Sequence, residues 1–84
     1  MVTVYVLSNS VNSERYVGMA LDCQSRLLEH NSGKNRYTKA FKPWVMIYSE
    51  QCERWESGRK REKYLKSAAG KRWLQKHLSG SLPD

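Results

Sequence analysis

Eighty-four residues suffice for one domain with one modest core and are too few for a deep internal cavity, so any functional site has to be a groove at the surface. Fifteen Lys and Arg against eight Asp and Glu leave a formal charge of +7, with nine of the fifteen cations between Arg54 and Lys76. This composition disfavours an enzyme built round an apolar metabolite pocket. It suits a polyanionic partner such as a nucleic-acid backbone, or else a solvated helix face.

Val2 to Leu7 (VTVYVL) is β-branched and aromatic and predicts a strand. Its period of two puts Thr3, Tyr5 and Leu7 on one face and Val2, Val4 and Val6 on the other. Polar residues Ser8 to Glu14 predict a turn or loop, and Arg15 to Met19 (RYVGM) a second strand closing an antiparallel hairpin. Tyr16 and Gly18 share a face of that strand, so Tyr5 and Tyr16 can meet on one surface. Asp22 is a suitable N-cap for a helix over Cys23 to Asn31, which turns Leu27 and Leu28 to the core and stops at Asn31-Ser32-Gly33. Arg26 and His30, four apart, project from the same side of it.

Lys34 to Phe41 reads as a second short helix or a basic loop, ended by Pro43. Trp44 to Ser49 predicts the third strand, Glu53 to Ser67 a helix, and Lys71 to Leu78 another beyond a break at Ala69-Gly70. One domain over 1–78 followed by a frayed tail over 79–84 is expected. Cys23 and Cys52 belong to no CxxC pair, and His30 and His77 stand at no zinc-like spacing from them. No run reaches the length of a membrane span, and the apolar start lacks the basic flank and length of a signal peptide. A cytoplasmic setting with reduced thiols is expected.

The long helix carries an anomaly. Trp55, Gly58, Leu65 and Ala69 follow helical spacing, and Glu62 falls inside their stripe. A carboxylate on an inward face is costly unless a cation or hydrogen bonds meet it. Glu62 therefore either pairs with a lysine at the stripe's edge or holds a metal ion in a helix–sheet groove. Bland readings stand beside the other candidates too. The tyrosines can be packing residues with wet hydroxyls, Arg26 and His30 a solvated face, and Trp44, Trp55 and Trp73 core.

Taken in order, several short motifs resemble those of the GIY-YIG nuclease superfamily. Val4-Tyr5-Val6-Leu7 resembles the first signature, and Tyr16-Val17-Gly18, eleven residues from the first tyrosine, the second. Arg26 and His30 follow, as in the family's RxxxH helix, with the run Glu29-His30-Asn31-Ser32-Gly33-Lys34. Then come Tyr37-Thr38, Lys42-Pro43-Trp44 and Arg61-Glu62-Lys63 with Leu65-Lys66. The likeness covers about residues 2 to 78 and is nearest to small single-domain bacterial members related to the N-terminal nuclease domain of the excinuclease. It departs from the pattern at Thr3, Val4 and Val17. It also departs at Lys71-Arg72-Trp73-Leu74, where many members carry an asparagine about three helical turns beyond the glutamate.

The resemblance implies an α+β fold, a small three-stranded antiparallel sheet flanked by helices, and a metal-dependent endonuclease that hydrolyses DNA phosphodiester bonds in repair or recombination, RNA not being excluded. It implies that Tyr5 acts as or assists the general base, that Tyr16 positions water or phosphate, and that Arg26 lies against the scissile phosphate. It further implies that His30 supports that phosphate or relays a proton, and that Glu62 holds a single Mg²⁺ or Mn²⁺. The chemistry wants such groups: a hard cation takes one carboxylate plus water and phosphate oxygens, and a guanidinium can meet two phosphate oxygens at once. A phenol of pKa near ~10 is a poor base at neutral pH and needs a nearby cation. Lys34, Arg36 and Lys39 are the expected nucleic-acid contacts. The alternatives are a basic nucleic-acid-binding module with a silent nuclease site, or an interaction domain docked on a larger repair complex through aromatics such as Trp73.

Overall fold

The alternating N-terminal run folds as the expected strand, β1 (Val2–Ser8), and takes the middle of the sheet in a computed structural model that describes residues 1–9, 14–35, 38 and 43–80. The hairpin partner β2 (Arg15–Ala20) lies along one edge of β1 and β3 (Val45–Cys52) along the other, all antiparallel, in the order β2-β1-β3. Because β1 is central, both of its faces are covered, which is why its sequence shows apolar residues at even and odd positions alike. Val4 and Val6 pack with Leu65 and Leu74 on one face, and Tyr5 and Leu7 with Ala20 and Trp44 on the other. β3 runs on past Ser49 to Cys52. It also carries a bulge: Val6 pairs with Tyr48 and Leu7 with Met46, leaving Ile47 as the extra residue, and Ile47 and Tyr48 both pack on the valine face.

The tyrosine face is covered by α1 (Cys23–Ser32), capped as expected. The Asp22 carboxylate accepts from the Gln24 and Ser25 amides, and Gly33 closes the helix in the left-handed region at φ 87°. Leu27 packs on the Tyr5 side, whereas Leu28, expected in the core, is exposed, since the next residue along a helix turns about 100° away. The valine face is covered by α2 (Trp55–Lys66) and α3 (Ala68–Gly80). Of the expected α2 stripe, Gly58, Glu62 and Leu65 are buried. Trp55, at the helix's first turn, is 49% exposed and is not core.

The corner between α2 and α3 falls at Ser67, not at Ala69-Gly70. Ser67 is extended (φ −78°, ψ 165°), and its hydroxyl accepts from the Gly70 amide at 3.1 Å, the bond of a serine N-cap. Gly70 lies inside α3 and is needed there for space. A β-carbon would sit 1.8 Å from the Tyr64 carbonyl oxygen. α3 continues to Gly80, and the rest of the expected frayed tail, 81–84, lies outside the described residues, as does most of the expected Lys34–Phe41 segment.

Gly70 separates helix propensity from packing. On an open helix Gly→Ala stabilises by about 1 kcal/mol. Here the new methyl meets backbone that no rotamer change can move, and Gly70→Ala is expected to lower stability by about 1–3 kcal/mol. Urea unfolding of the two proteins checks this, and a gain in stability would show that the corner relaxes.

Candidate active site

Tyr5 pairs across the hairpin with Gly18, and Leu7 with Tyr16, so both tyrosines rise from one face of the sheet. A β-carbon on Gly18 would come 2.7 Å from the Tyr5 hydroxyl oxygen and 3.0 Å from Tyr16 Cε1, so the glycine is what lets the Tyr5 ring lie across β2. The ring centroids of Tyr5 and Tyr16 are 6.4 Å apart, and His30 from α1 completes a triangle, 6.2 Å from Tyr5 and 4.7 Å from Tyr16. Trp44 stands edge-on to Tyr16.

A polar chain runs through these rings. The Tyr5 hydroxyl oxygen is 3.2 Å from His30 Nε2, and His30 Nδ1 is 2.8 Å from Thr38 Oγ1, with Tyr5, His30 and Thr38 each no more than 1% exposed. Arg26, one turn before His30, acts on the Tyr5 hydroxyl through its charge and forms an ion pair with Glu29 at 3.0 Å. A neutral imidazole carries one ring proton, so with Nε2 accepting from Tyr5 the Nδ1 proton goes to Thr38, and the other tautomer reverses both bonds. Burial raises the Tyr5 pKa, with Arg26 opposing; burial, then the Arg26 charge, lowers that of His30. At neutral pH the site therefore holds a neutral phenol, a neutral imidazole and a guanidinium.

The support beneath is backbone-deep. The Asn31 side chain accepts from the Trp44 amide at 2.6 Å and donates to the Trp44 carbonyl at 3.1 Å. Trp44 Nε1 donates to the Thr38 carbonyl at 2.9 Å, and the Asn35 side chain accepts from the Thr38 amide at 3.0 Å. In the sequence, Thr38 and Asn31 stand only as parts of motif runs. Their holding roles carry no signal in spacing, because the residues they hold, His30 and Trp44, are between six and thirteen residues away. Trp44 follows the bland reading, as core. Arg26, Glu29, His30, Lys34 and Asn35 line a shallow cleft of about 130 Å³. Of the expected nucleic-acid contacts, Lys34 thus sits beside His30, while Arg36 and Lys39 lie outside the described residues.

Glu62 stands on α2, the helix that packs on the valine face, where Gly58 lies against Val2 and Met19. Glu62 is 8% exposed, with Oε1 3.3 Å from Arg59 Nη1 and Oε2 3.4 Å from Lys66 Nζ. The pairing with a lysine is the bland reading, and it holds in this structure. Among the described residues no three His, Cys, Asp or Glu side chains gather, which does not fit an all-protein metal centre. A lone carboxylate does fit a magnesium-like ion whose other ligands are water and phosphate oxygens, if the ion displaces a paired cation.

The buried imidazole makes stability depend on pH with a definite sign. Unfolded, His30 titrates near 6.5, and folded it titrates lower, so on acidification the unfolded chain takes up its proton first. Its contribution is complete above about pH 6.5 and is lost as pH falls below that value. Thermal unfolding from about pH 8 to about pH 5 is expected to show the melting temperature falling in that lower window, and a flatter profile for His30→Gln. Equal profiles would place the dependence elsewhere.

The family model described as the GIY-YIG catalytic domain matches residues 1–77. A UPF0213 protein of Syntrophus aciditrophicus is 34% identical over 74 residues, 86% of this chain and 84% of the relative. UPF0213 proteins of Staphylococcus haemolyticus and Staphylococcus saprophyticus are 32% and 31% identical, over 76% and 71% of this chain and 78% and 74% of their own lengths. No solved structure matches the chain. With the three-stranded antiparallel sheet, its flanking helices and a family match over nearly all its length, the chain belongs to the GIY-YIG nuclease family.

Proposed function

We propose that this protein is a metal-dependent endonuclease that hydrolyses DNA phosphodiester bonds, with Tyr5, Tyr16, Arg26 and His30 at the reacting phosphate and Glu62 as the ligand of one Mg²⁺ or Mn²⁺. The observation that carries this reading is the buried Tyr5 hydroxyl 3.2 Å from His30 Nε2, with the charge of Arg26 acting on it. A neutral imidazole can take the tyrosine proton, and the resulting phenolate, stabilised by Arg26, can take one from the attacking water. The proton of water thus ends on the tyrosine–histidine pair while its oxygen bonds phosphorus, the ester P–O bond breaks and the leaving oxygen takes up a proton from solvent water. Tyr16, against the His30 ring, positions the water or the phosphate. The donors of Arg26 not used by Glu29 meet charge building on the phosphate oxygens, and Lys34 neutralises the strand beside the cleft. When bound, the metal supplies further stabilisation of that charge. Docking on a larger DNA-repair complex belongs to the same proposal. No helix among the described residues is long and apolar enough to cross a membrane.

One observation favours the rival reading, a nucleic-acid-binding module with a silent site: both Glu62 oxygens already face cations. Glu62→Gln separates the two. A metal ligand's loss is expected to reduce Mg²⁺- or Mn²⁺-dependent cleavage of plasmid and branched DNA by at least about a hundredfold. Affinity for DNA in EDTA should hold or rise as an anion leaves a basic surface. A purely structural Glu62 would instead strand Arg59 and Lys66, lowering the melting temperature without a selective effect on cleavage. Wild-type protein silent on every DNA and RNA substrate with either metal would leave the binding module.

A further inference from the structure

A second groove, of about 330 Å³, opens on the other side of Tyr16, between the β2 edge and the α2–α3 corner. Its floor is apolar, formed by Val17, Leu65 and Leu74, and its rim carries three cations, Arg15, Lys66 and Lys71. Among the described residues no carboxylate lines it. Arg15 Nη2 donates to the Gln75 side-chain oxygen at 3.1 Å, a neutral partner that orients the guanidinium without cancelling its charge. Lys66 is the same lysine that faces Glu62. Tyr16 therefore belongs both to the tyrosine–histidine cluster on one face and to a groove that leads towards Glu62 on the other.

The chemistry that matches this lining is a chain of phosphates linked by compact groups with C–H surface: anions for the three cations, sugar faces for the floor. We propose that this groove is the track for the sugar–phosphate backbone of a nucleic-acid strand, carrying it from the tyrosine cluster round the β2 edge to Glu62. The proposal rests on the nucleic-acid reading above and deepens it by naming the path. It gives Lys66 a second partner. A phosphate in the groove competes with Glu62 for that lysine, so strand binding frees one carboxylate oxygen.

Binding measured without metal tests the track apart from catalysis. A fluorescently labelled DNA duplex is titrated in EDTA at low and moderate salt with wild type, Arg15→Gln, Lys71→Gln and Lys60→Gln. The last removes an exposed charge of α2 that lines neither groove. The groove variants are expected to bind about three- to tenfold more weakly, each with a salt slope lower by about one, and Lys60→Gln less than about twofold more weakly. Lys71 is exposed, so unchanged melting of Lys71→Gln keeps folding out of the result. Equal losses at Lys60 and Lys71 would overturn the track in favour of overall charge. So would no loss at Arg15 and Lys71, or a dependence on these residues shown by phosphatidylserine vesicles and not by DNA. If the groove variants lose affinity as expected while wild type cleaves nothing, the track stands and the nuclease reading falls. If they bind normally while wild type cleaves, the track alone falls.

Discussion

Strand β1 is paired along both edges and covered on both faces, so every side chain from Val2 to Leu7 has to be satisfied inside the protein. For the valines and Leu7 burial is itself favourable, at about 1.5–3 kcal/mol for each fully buried side chain. Tyr5 differs, because its ring gains from burial while its hydroxyl loses water and must be hydrogen-bonded in exchange. Among the described residues no buried side-chain polar atom lacks a partner. The requirement that places His30 on the Tyr5 oxygen is thus one of folding.

The neighbours of that oxygen set its electrostatics. Burial alone would leave Tyr5 a very weak acid, and Arg26 pulls the other way. The same cation, with burial, keeps the His30 imidazole neutral. One arginine therefore eases departure of the tyrosine proton and keeps its acceptor empty. The pair is useful only while Thr38 holds the other ring nitrogen, and Thr38 is tied through Trp44 and Asn31 to the end of α1 and the start of β3.

The valine face has its own charged junction. Arg61 donates to Glu50 at 2.9 Å and lies over the Trp73 ring at 4.4 Å and the Tyr64 ring at 5.1 Å, while His77 stacks on Trp73 at 4.9 Å. This assembly ties β3 to both α2 and α3. It engages Trp73 within the molecule, so the tryptophan left most open to solvent is Trp55. Between the two junctions stands β1, with α1 on its tyrosine face and α2 and α3 on its valine face.

Local patterns determined much of this protein. The alternation in Val2 to Leu7, the Asp22 and Gly33 caps, and the helical spacing of Arg26 and His30 act between neighbours in the chain, so strand, helix and the sharing of a face could be read directly. The order of the short motifs was enough to reach the family and with it the sheet. The α2–α3 corner was misplaced, because Gly70 invited a break at Ala69-Gly70 where the chain turns at Ser67 instead. Whether that glycine ends a helix or makes room for one depends on the Tyr64 carbonyl, which only the packed pair of helices brings near. Tertiary structure alone decided that Trp55 stays in water, that Thr38 and Asn31 hold the histidine, and that Glu62 meets Arg59 and Lys66 on the helix that covers the valine face. A helical stripe tells which residues turn inward together; it does not tell which face of the sheet they turn to, because that is set by where the chain crosses β1 and not by any spacing along it.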